Sequence, residues 1–236
     1  MAIVTTRLGS ELGTSWVLAP ERYDPRRETL RTTARGTATV LLSSVARIAR
    51  QTISASTSNP ERQTIRVLDT SDVREGFVIG RKPPIHVSEL GSLKKLFQVS
   101  DVLISRLRPY LRQVALVDHG VGDDDSLLAC STEFFILRST NDESIAFLVP
   151  FLLSASVQSV LAASQEGGHH PRFDEDILAA LPIPETMLAR RKEISEAVEK
   201  SAKHYRDSER IMLGLIADIE QGIPAKTKKA RRTTAT

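Results

Sequence analysis

Short apolar runs alternate with turn-forming residues over residues 1–186, a pattern typical of a mixed α/β domain. Several of these runs are rich in β-branched and aromatic residues, which favour strands. The strand candidates are Trp16–Leu18, Thr64–Leu68, Gly76–Gly80, Asp101–Ser105, Gln113–Val117 and Ser131–Leu137. We therefore expect one globular domain with a twisted sheet and flanking helices.

Three segments of the same region have patterns that predict helices. Thr37–Ile48 carries apolar residues near helical spacing. Ser144–Ala163 is strongly apolar, and Pro150 must either lie in its first turn or kink it. Asp174 is a plausible N-cap for a short helix that ends before Pro182.

Beyond residue 186 the apolar residues follow a heptad spacing, which predicts one long helix from Met187 to Gln221. Gly222 and Pro224 are expected to end it. The seam consists of Ile194, Val198, Ser201, Tyr205, Ser208, Met212, Leu215 and Ile219. A helix of this length spans roughly 50 Å, so we expect a second helix to cover the seam. Folding back on its own domain is the alternative.

The sequence thus divides into a globular domain (1–186), a coiled-coil helix (187–223) and a tail (224–236). Its net charge is only +3, but the charge is unevenly distributed. Cations exceed acids by six in residues 1–100 and by five in residues 187–236, whereas acids exceed cations by eight in residues 101–186. This asymmetry fits a polyanionic partner. A merely solvated basic tail is the alternative.

The composition predicts a cytoplasmic protein without membrane contact. No apolar run reaches the ~18 residues of a transmembrane helix, and Met1–Arg7 does not begin a secretory signal. Cys130 is the only cysteine, which is typical of a reducing compartment. We expect it to be a packed hydrophobic residue rather than a nucleophile.

Motifs for catalysis or cofactor binding are absent from the sequence. It contains neither a glycine-rich phosphate loop nor a dinucleotide-binding turn. Asp123–Asp125 lacks the alternate spacing of calcium loops, and His169–His170 has no carboxylate or cysteine at metal-ligand spacing. We expect no metal, no cofactor and no catalysis in this chain; a nuclease with an unrecognised site is the alternative.

Five segments, taken in order, resemble the specificity subunits of type I restriction-modification methyltransferases. Leu18–Pro25 resembles the opening of their target recognition domain, and Ile65–Val73 a first sheet segment. Val99–Val117 is the strongest match, since many members carry a similar G-D-I-L-I-S-R segment; here Ser100 replaces the usual glycine. Ser131–Arg138 and Gly168–Pro184 resemble the next strand and the segment before the long helix.

The resemblance implies a half-length form with a single target recognition domain that binds double-stranded DNA. It also implies a second specificity subunit, a partner adenine methyltransferase that carries S-adenosylmethionine, and in some complexes a nuclease. The candidate DNA-binding residues are Arg81, Lys82, Arg106, Arg108, Tyr110, Arg112, His169, His170 and Arg172. Pairing of these arginines with neighbouring carboxylates is the alternative, and a free-standing DNA-binding regulator is the alternative function.

Overall fold

The computed structural model describes residues 6, 38–56, 63–122, 125–165 and 171–222. Its strands are β1 (Thr39–Leu41), β2 (Ala46–Ile48), β3 (Thr52–Ile53), β4 (Thr64–Leu68), β5 (Val73–Arg74), β6 (Phe77–Val78), β7 (Ile85–His86), β8 (Lys94–Leu96), β9 (Val102–Ser105), β10 (Val114–Leu116), β11 (Leu127–Cys130), β12 (Phe134–Ser139) and β13 (Pro182–Pro184). Its α-helices are α1 (Leu148–Leu153), α2 (Ala155–Ala163), α3 (Glu175–Ala179), α4 (Glu185–Ala189) and α5 (Arg191–Gly222). The mixed α/β architecture followed by a long helix is as predicted.

In the described part of the chain, the two-stranded sheets β1–β13 and β5–β6 accompany two larger sheets that share an apolar core. One is antiparallel, with strand order β10-β9-β12-β2, and the other is mixed, with order β3-β8-β11-β4-β7 and a parallel pair β11–β4. Val102 and Ile104 of β9 face the core that contains α1 and α2, whereas Leu103 faces the core between the sheets. Because both faces of β9 are buried, Val102–Ile104 are continuously apolar rather than alternating.

The strand predictions within the described residues are confirmed, although the last strand starts three residues later than expected. The predicted Trp16–Leu18 strand lies outside these residues. Ser100, which precedes β9, has a φ of 72°. This is the left-handed region that favours glycine, which gives a physical reason for the glycine that the resemblance leads one to expect at this position.

Two helix predictions were wrong. Within the helix predicted for 37–48, residues 39–48 form β1, a 3-10 turn and β2, because β1 pairs with β13 and β2 pairs with β12. The segment 144–163 forms two helices, since Ser154 adopts an extended backbone and its Oγ accepts a hydrogen bond from the Val157 amide. Pro150 does lie in the first turn of α1.

The long helix is also interrupted where continuity was expected. Met187 belongs to the short helix α4, which ends at Ala189 with Arg190 as its C-cap, and α5 begins at Arg191. The short helix after Asp174 is present as α3, although the Asp174 side chain makes no capping hydrogen bond. None of the helices in the described ranges is long and apolar enough to cross a membrane.

Candidate nucleic-acid interface

The connection between β9 and β10 is a loop with a defined turn that presents large side chains to solvent. Pro109–Leu111 form one 3-10 turn, and the residues on either side of it have left-handed backbones: Arg108 has a φ of 44° and Arg112 a φ of 53°. Each such conformation costs a non-glycine residue about 1–2 kcal/mol. Tyr110 is 67% exposed at the tip, and Arg108 is also exposed. Strained loops of this kind often occur at binding sites.

Arg112 anchors this loop to the domain. Its Nη1 donates to the Leu153 carbonyl at 3.0 Å, and its Nε lies 3.4 Å from Glu75 Oε1. The Glu75 amide in turn donates to the Arg112 carbonyl at 2.9 Å. Arg112 was predicted to contact DNA, but the structure gives its guanidinium intramolecular partners. The side chain of Arg108, by contrast, forms no ion pair or hydrogen bond with the described residues.

Arg106 and Arg172 converge on the carboxylate of Glu133. Arg106 Nε donates to Glu133 Oε2 at 2.9 Å, and Arg172 donates from Nε to Oε2 at 2.9 Å and from Nη2 to Oε1 at 2.7 Å. The hydrogen bonds from Arg172, and then those from Arg106, lower the pKa of Glu133 to about 2 despite its partial burial. The predicted alternative of pairing with a carboxylate therefore holds for both arginines.

Backbone contacts bring these three residues together. The Arg106 amide donates to the Glu133 carbonyl at 3.0 Å, and the Phe173 amide donates to the Arg106 carbonyl at 3.2 Å. Leu107 and Arg172 form an isolated antiparallel bridge. Sequence reasoning proposed Arg106 and Arg172 separately; the structure shows that they form one cluster. His169 and His170 lie outside the described residues.

Arg81 and Lys82 follow β6 in a different loop. Lys82 Nζ lies 2.9 Å from Asp69 Oδ2 and 2.5 Å from Asp72 Oδ2. Burial alone would lower the pKa of Lys82, but the hydrogen bonds to both carboxylates outweigh it and raise the pKa. Arg81 Nη2 donates to the Gly120 carbonyl at 3.2 Å. Lys82 therefore stays protonated, but the negative charges of Asp69 and Asp72 offset its positive charge. This makes Lys82 a weaker candidate for a phosphate contact.

The first half of α5 packs against its own domain, which corrects part of the predicted intermolecular seam. Ile194 and Val198 pack against the core beside α1, and the Tyr205 ring stacks on Phe77 at 4.7 Å. The apolar side chains from Ile211 onward are exposed. They are Ile211, Met212, Leu213, Leu215, Ile216 and Ile219. Among the described residues, the exposed large apolar side chains of α5 therefore lie in its second half.

The described residues contain no cluster of three or more His, Cys, Asp or Glu side chains placed to hold a metal ion. Cys130 is fully buried between the sheets, and burial raises the pKa of its thiol to about 12. The thiolate needed for nucleophilic chemistry is therefore strongly disfavoured.

Solved structures resemble this chain over most of its described fold. The HsdS subunit from Thermoanaerobacter tengcongensis covers 79% of this chain with a TM-score of 0.51 and 21% sequence identity. The fold is that of an HsdS subunit. A chain from a structure concerning complex assembly and conformational transition of the type I R-M system covers 78% of this chain, with a TM-score of 0.55 and 24% identity.

The HsdS-like chain is shorter than these two relatives and spans 46% and 47% of their lengths. No protein-family model and no curated protein matches the sequence. At these identities the likeness concerns the fold. It bears out the resemblance at the level of the fold.

Proposed function

We propose that the chain is a DNA sequence-recognition subunit that directs a partner DNA adenine methyltransferase, and in cleaving complexes a nuclease, to its target site in host defence. The HsdS-like fold supports this proposal. The observation that carries it is the β9–β10 loop, which exposes Arg108, whose backbone is left-handed, and Tyr110 in the 3-10 turn that follows. In this function the chain itself catalyses no reaction, and S-adenosylmethionine binds to the methyltransferase.

The proposed DNA-binding face comprises the loop Arg106–Arg112 and the neighbouring Arg172. Arginine, tyrosine and histidine side chains on loops suit a DNA groove, where base edges specify sequence and phosphates position the protein. His169 and His170 lie shortly before Arg172 in the sequence. We propose that they belong to the same face. Arg81 is proposed as a phosphate contact, with Lys82 contributing less because Asp69 and Asp72 already bind it.

The second half of α5 is the proposed assembly surface. Met212, Leu215 and Ile219 continue the heptad spacing and are exposed in the isolated chain. An apolar helix face in water is characteristic of an interaction site. We propose that it packs against helices of a second specificity subunit and of the methyltransferase, in the cytoplasm.

The test is purification of the full chain from its native cell, followed by mapping of methylated DNA with and without its gene. Co-purification of a methyltransferase and loss of methylation at one defined sequence motif are the expected results. Sequence-specific binding without a methyltransferase partner indicates a free-standing regulator instead. Cleavage of plasmid by the purified chain with a divalent metal ion indicates a nuclease and contradicts the proposed non-catalytic role.

A further inference from the structure

The Arg106 guanidinium is fixed at one nitrogen and open at the other two. Its Nε donates to Glu133 Oε2 at 2.9 Å, whereas Nη1 and Nη2 have no hydrogen-bonding partner among the described residues. The side chain is 34% exposed. Since its inner edge is bound, the outer edge with both Nη groups is presented to solvent in a defined orientation.

Glu133, which holds Arg106, is itself held firmly. Arg172 binds both of its carboxylate oxygens in a bidentate contact, and the Glu133 side chain is only one-fifth exposed. Planar bidentate pairing of this kind is among the strongest and most directional in proteins. The backbone bridge between Leu107 and Arg172 fixes the two arginine-bearing segments relative to each other. The cluster is therefore preorganised before any ligand binds.

A phosphate contact would gain little from this arrangement. Phosphate attraction depends chiefly on positive charge, and Glu133 cancels one of the two positive charges that the arginines supply. A base contact gains more, because a side chain already locked in orientation loses less conformational entropy on binding. Guanine offers its O6 and N7 acceptors side by side in the major groove, and two N–H groups of one arginine match them.

From this geometry we infer that Arg106 reads a guanine in the target site and that Glu133 is the positioning residue that orients it. The inference rests on the proposed DNA-recognition function and deepens it: the recognised sequence contains a guanine at the position that Arg106 contacts.

The test uses the full chain and a pool of duplexes with randomised sequence, from which the preferred motif of the wild-type protein is selected. Binding of Arg106→Lys and Glu133→Gln is then measured on the preferred duplex, on its single-base variants and on random duplex. Lysine keeps the charge but lacks the two-pronged Nη edge, and glutamine removes the negative charge of Glu133. Glu175→Gln is the matched control, because Glu175 also pairs with an arginine but with Arg50, and it forms no ion pair with Arg106 or Arg172.

We expect Arg106→Lys to reduce discrimination at one guanine by about five- to 150-fold, the range of a lost bidentate base contact. Glu133→Gln should relax discrimination at the same base pair while binding random duplex as well as or better than the wild type, since a negative charge is removed. A residue needed only for folding would instead lower binding to every duplex. Glu175→Gln should leave the motif unchanged.

An unchanged motif in Arg106→Lys, or equal loss on preferred and random duplexes, overturns the inference while leaving the proposed function intact. The same holds if the affected base pair contains no guanine. A wild-type protein with no sequence preference overturns both. Should Glu133→Gln fail to fold, Arg106→Lys decides alone, because lysine keeps a cation that can pair with Glu133 in place of Arg106 Nε, and the Nη edge that it removes makes no contact within the described fold.

Discussion

Arg206 of the long helix α5 binds both carboxylate oxygens of Asp118, which follows strand β10. The distances are 3.0 Å from Nε to Oδ1 and 2.9 Å from Nη2 to Oδ2, and the two side chains are only 11% and 13% exposed. Gly120 permits this approach, since a Cβ there would lie 3.1 Å from Arg206 Cδ. The helix is thereby fixed to the domain near its midpoint, shortly before its apolar face becomes exposed.

We expect Arg206→Ala to lower the free energy of unfolding by about 2–3 kcal/mol, because it leaves the largely buried Asp118 carboxylate without its partner. Arg210→Ala, which removes a mostly exposed arginine paired with Asp207 on the same helix, should change it little. Urea unfolding of the two variants beside the wild type provides the measurement. Equal losses would show that the Asp118 pair does not anchor the helix.

The two halves of α5 should respond differently to a charged substitution. Val198→Asp places a charge against the domain core and should lower the unfolding midpoint at every protein concentration. Leu215→Asp alters a side chain that is 54% exposed, so the folded domain should keep its stability while the assembly dissociates. Thermal melts and sedimentation velocity on each variant distinguish these effects. An unchanged assembly in Leu215→Asp contradicts the proposed interface.

The buried strands could be predicted from the sequence because their signals are local. Val102–Ile104 and Val114–Leu116 are apolar throughout, as expected for strands that are buried on both faces. Residues 37–48 could not be assigned in this way, since their apolar spacing also fits a helix. What decides their conformation is pairing with β12 and β13, strands that lie some 90 and 140 residues further along the chain.

Individual candidate side chains of the site could also be proposed from the sequence, but their mutual arrangement could not. The loop Arg106–Arg112 is rich in arginine, whereas nothing local indicates that Glu133 binds both Arg106 and Arg172.

The contacts of the helix seam could not be predicted from the sequence either. A heptad spacing does not reveal which partner covers it, and here the domain itself covers the part that includes Val198 and Tyr205.

Ser100→Gly should raise the free energy of unfolding by about 1 kcal/mol, because glycine adopts the left-handed backbone of this position without the steric cost that serine incurs. Ser92→Gly is the control, as Ser92 is exposed and its φ is not positive. Ser92→Gly should leave the free energy of unfolding unchanged or lower it slightly. Chemical denaturation resolves the difference, and a destabilised Ser100→Gly would contradict this account of the turn.

The Glu133 cluster predicts a defined dependence of stability on pH. Its pKa of about 2 lies below the ordinary value of 4.5, so its ionised form is favoured by folding. Its contribution should be complete above pH 5 and should decline as the pH falls from about 4.5 towards 2. The difference in stability between the wild type and Glu133→Gln should therefore be constant from pH 5.5 to 8 and shrink at lower pH. A difference that grows on acidification contradicts the assignment.

Arg108 offers the most direct test of the proposed DNA face. Glycine favours the left-handed backbone that Arg108 adopts, so Arg108→Gly removes the side chain without disturbing the loop, and its unfolding midpoint should equal or exceed that of the wild type. If Arg108 reads a base, affinity for the cognate duplex should fall by about 1–3 kcal/mol, with random duplex little affected. If it contacts a phosphate, both duplexes should lose affinity equally, and the slope of log affinity against log salt should fall by about one.

Lys192→Ala, which removes an exposed cation near the start of α5, is the charge control. It should change neither the affinity for the two duplexes nor the salt slope. Unaltered binding of both duplexes by Arg108→Gly would remove this loop tip from the DNA interface.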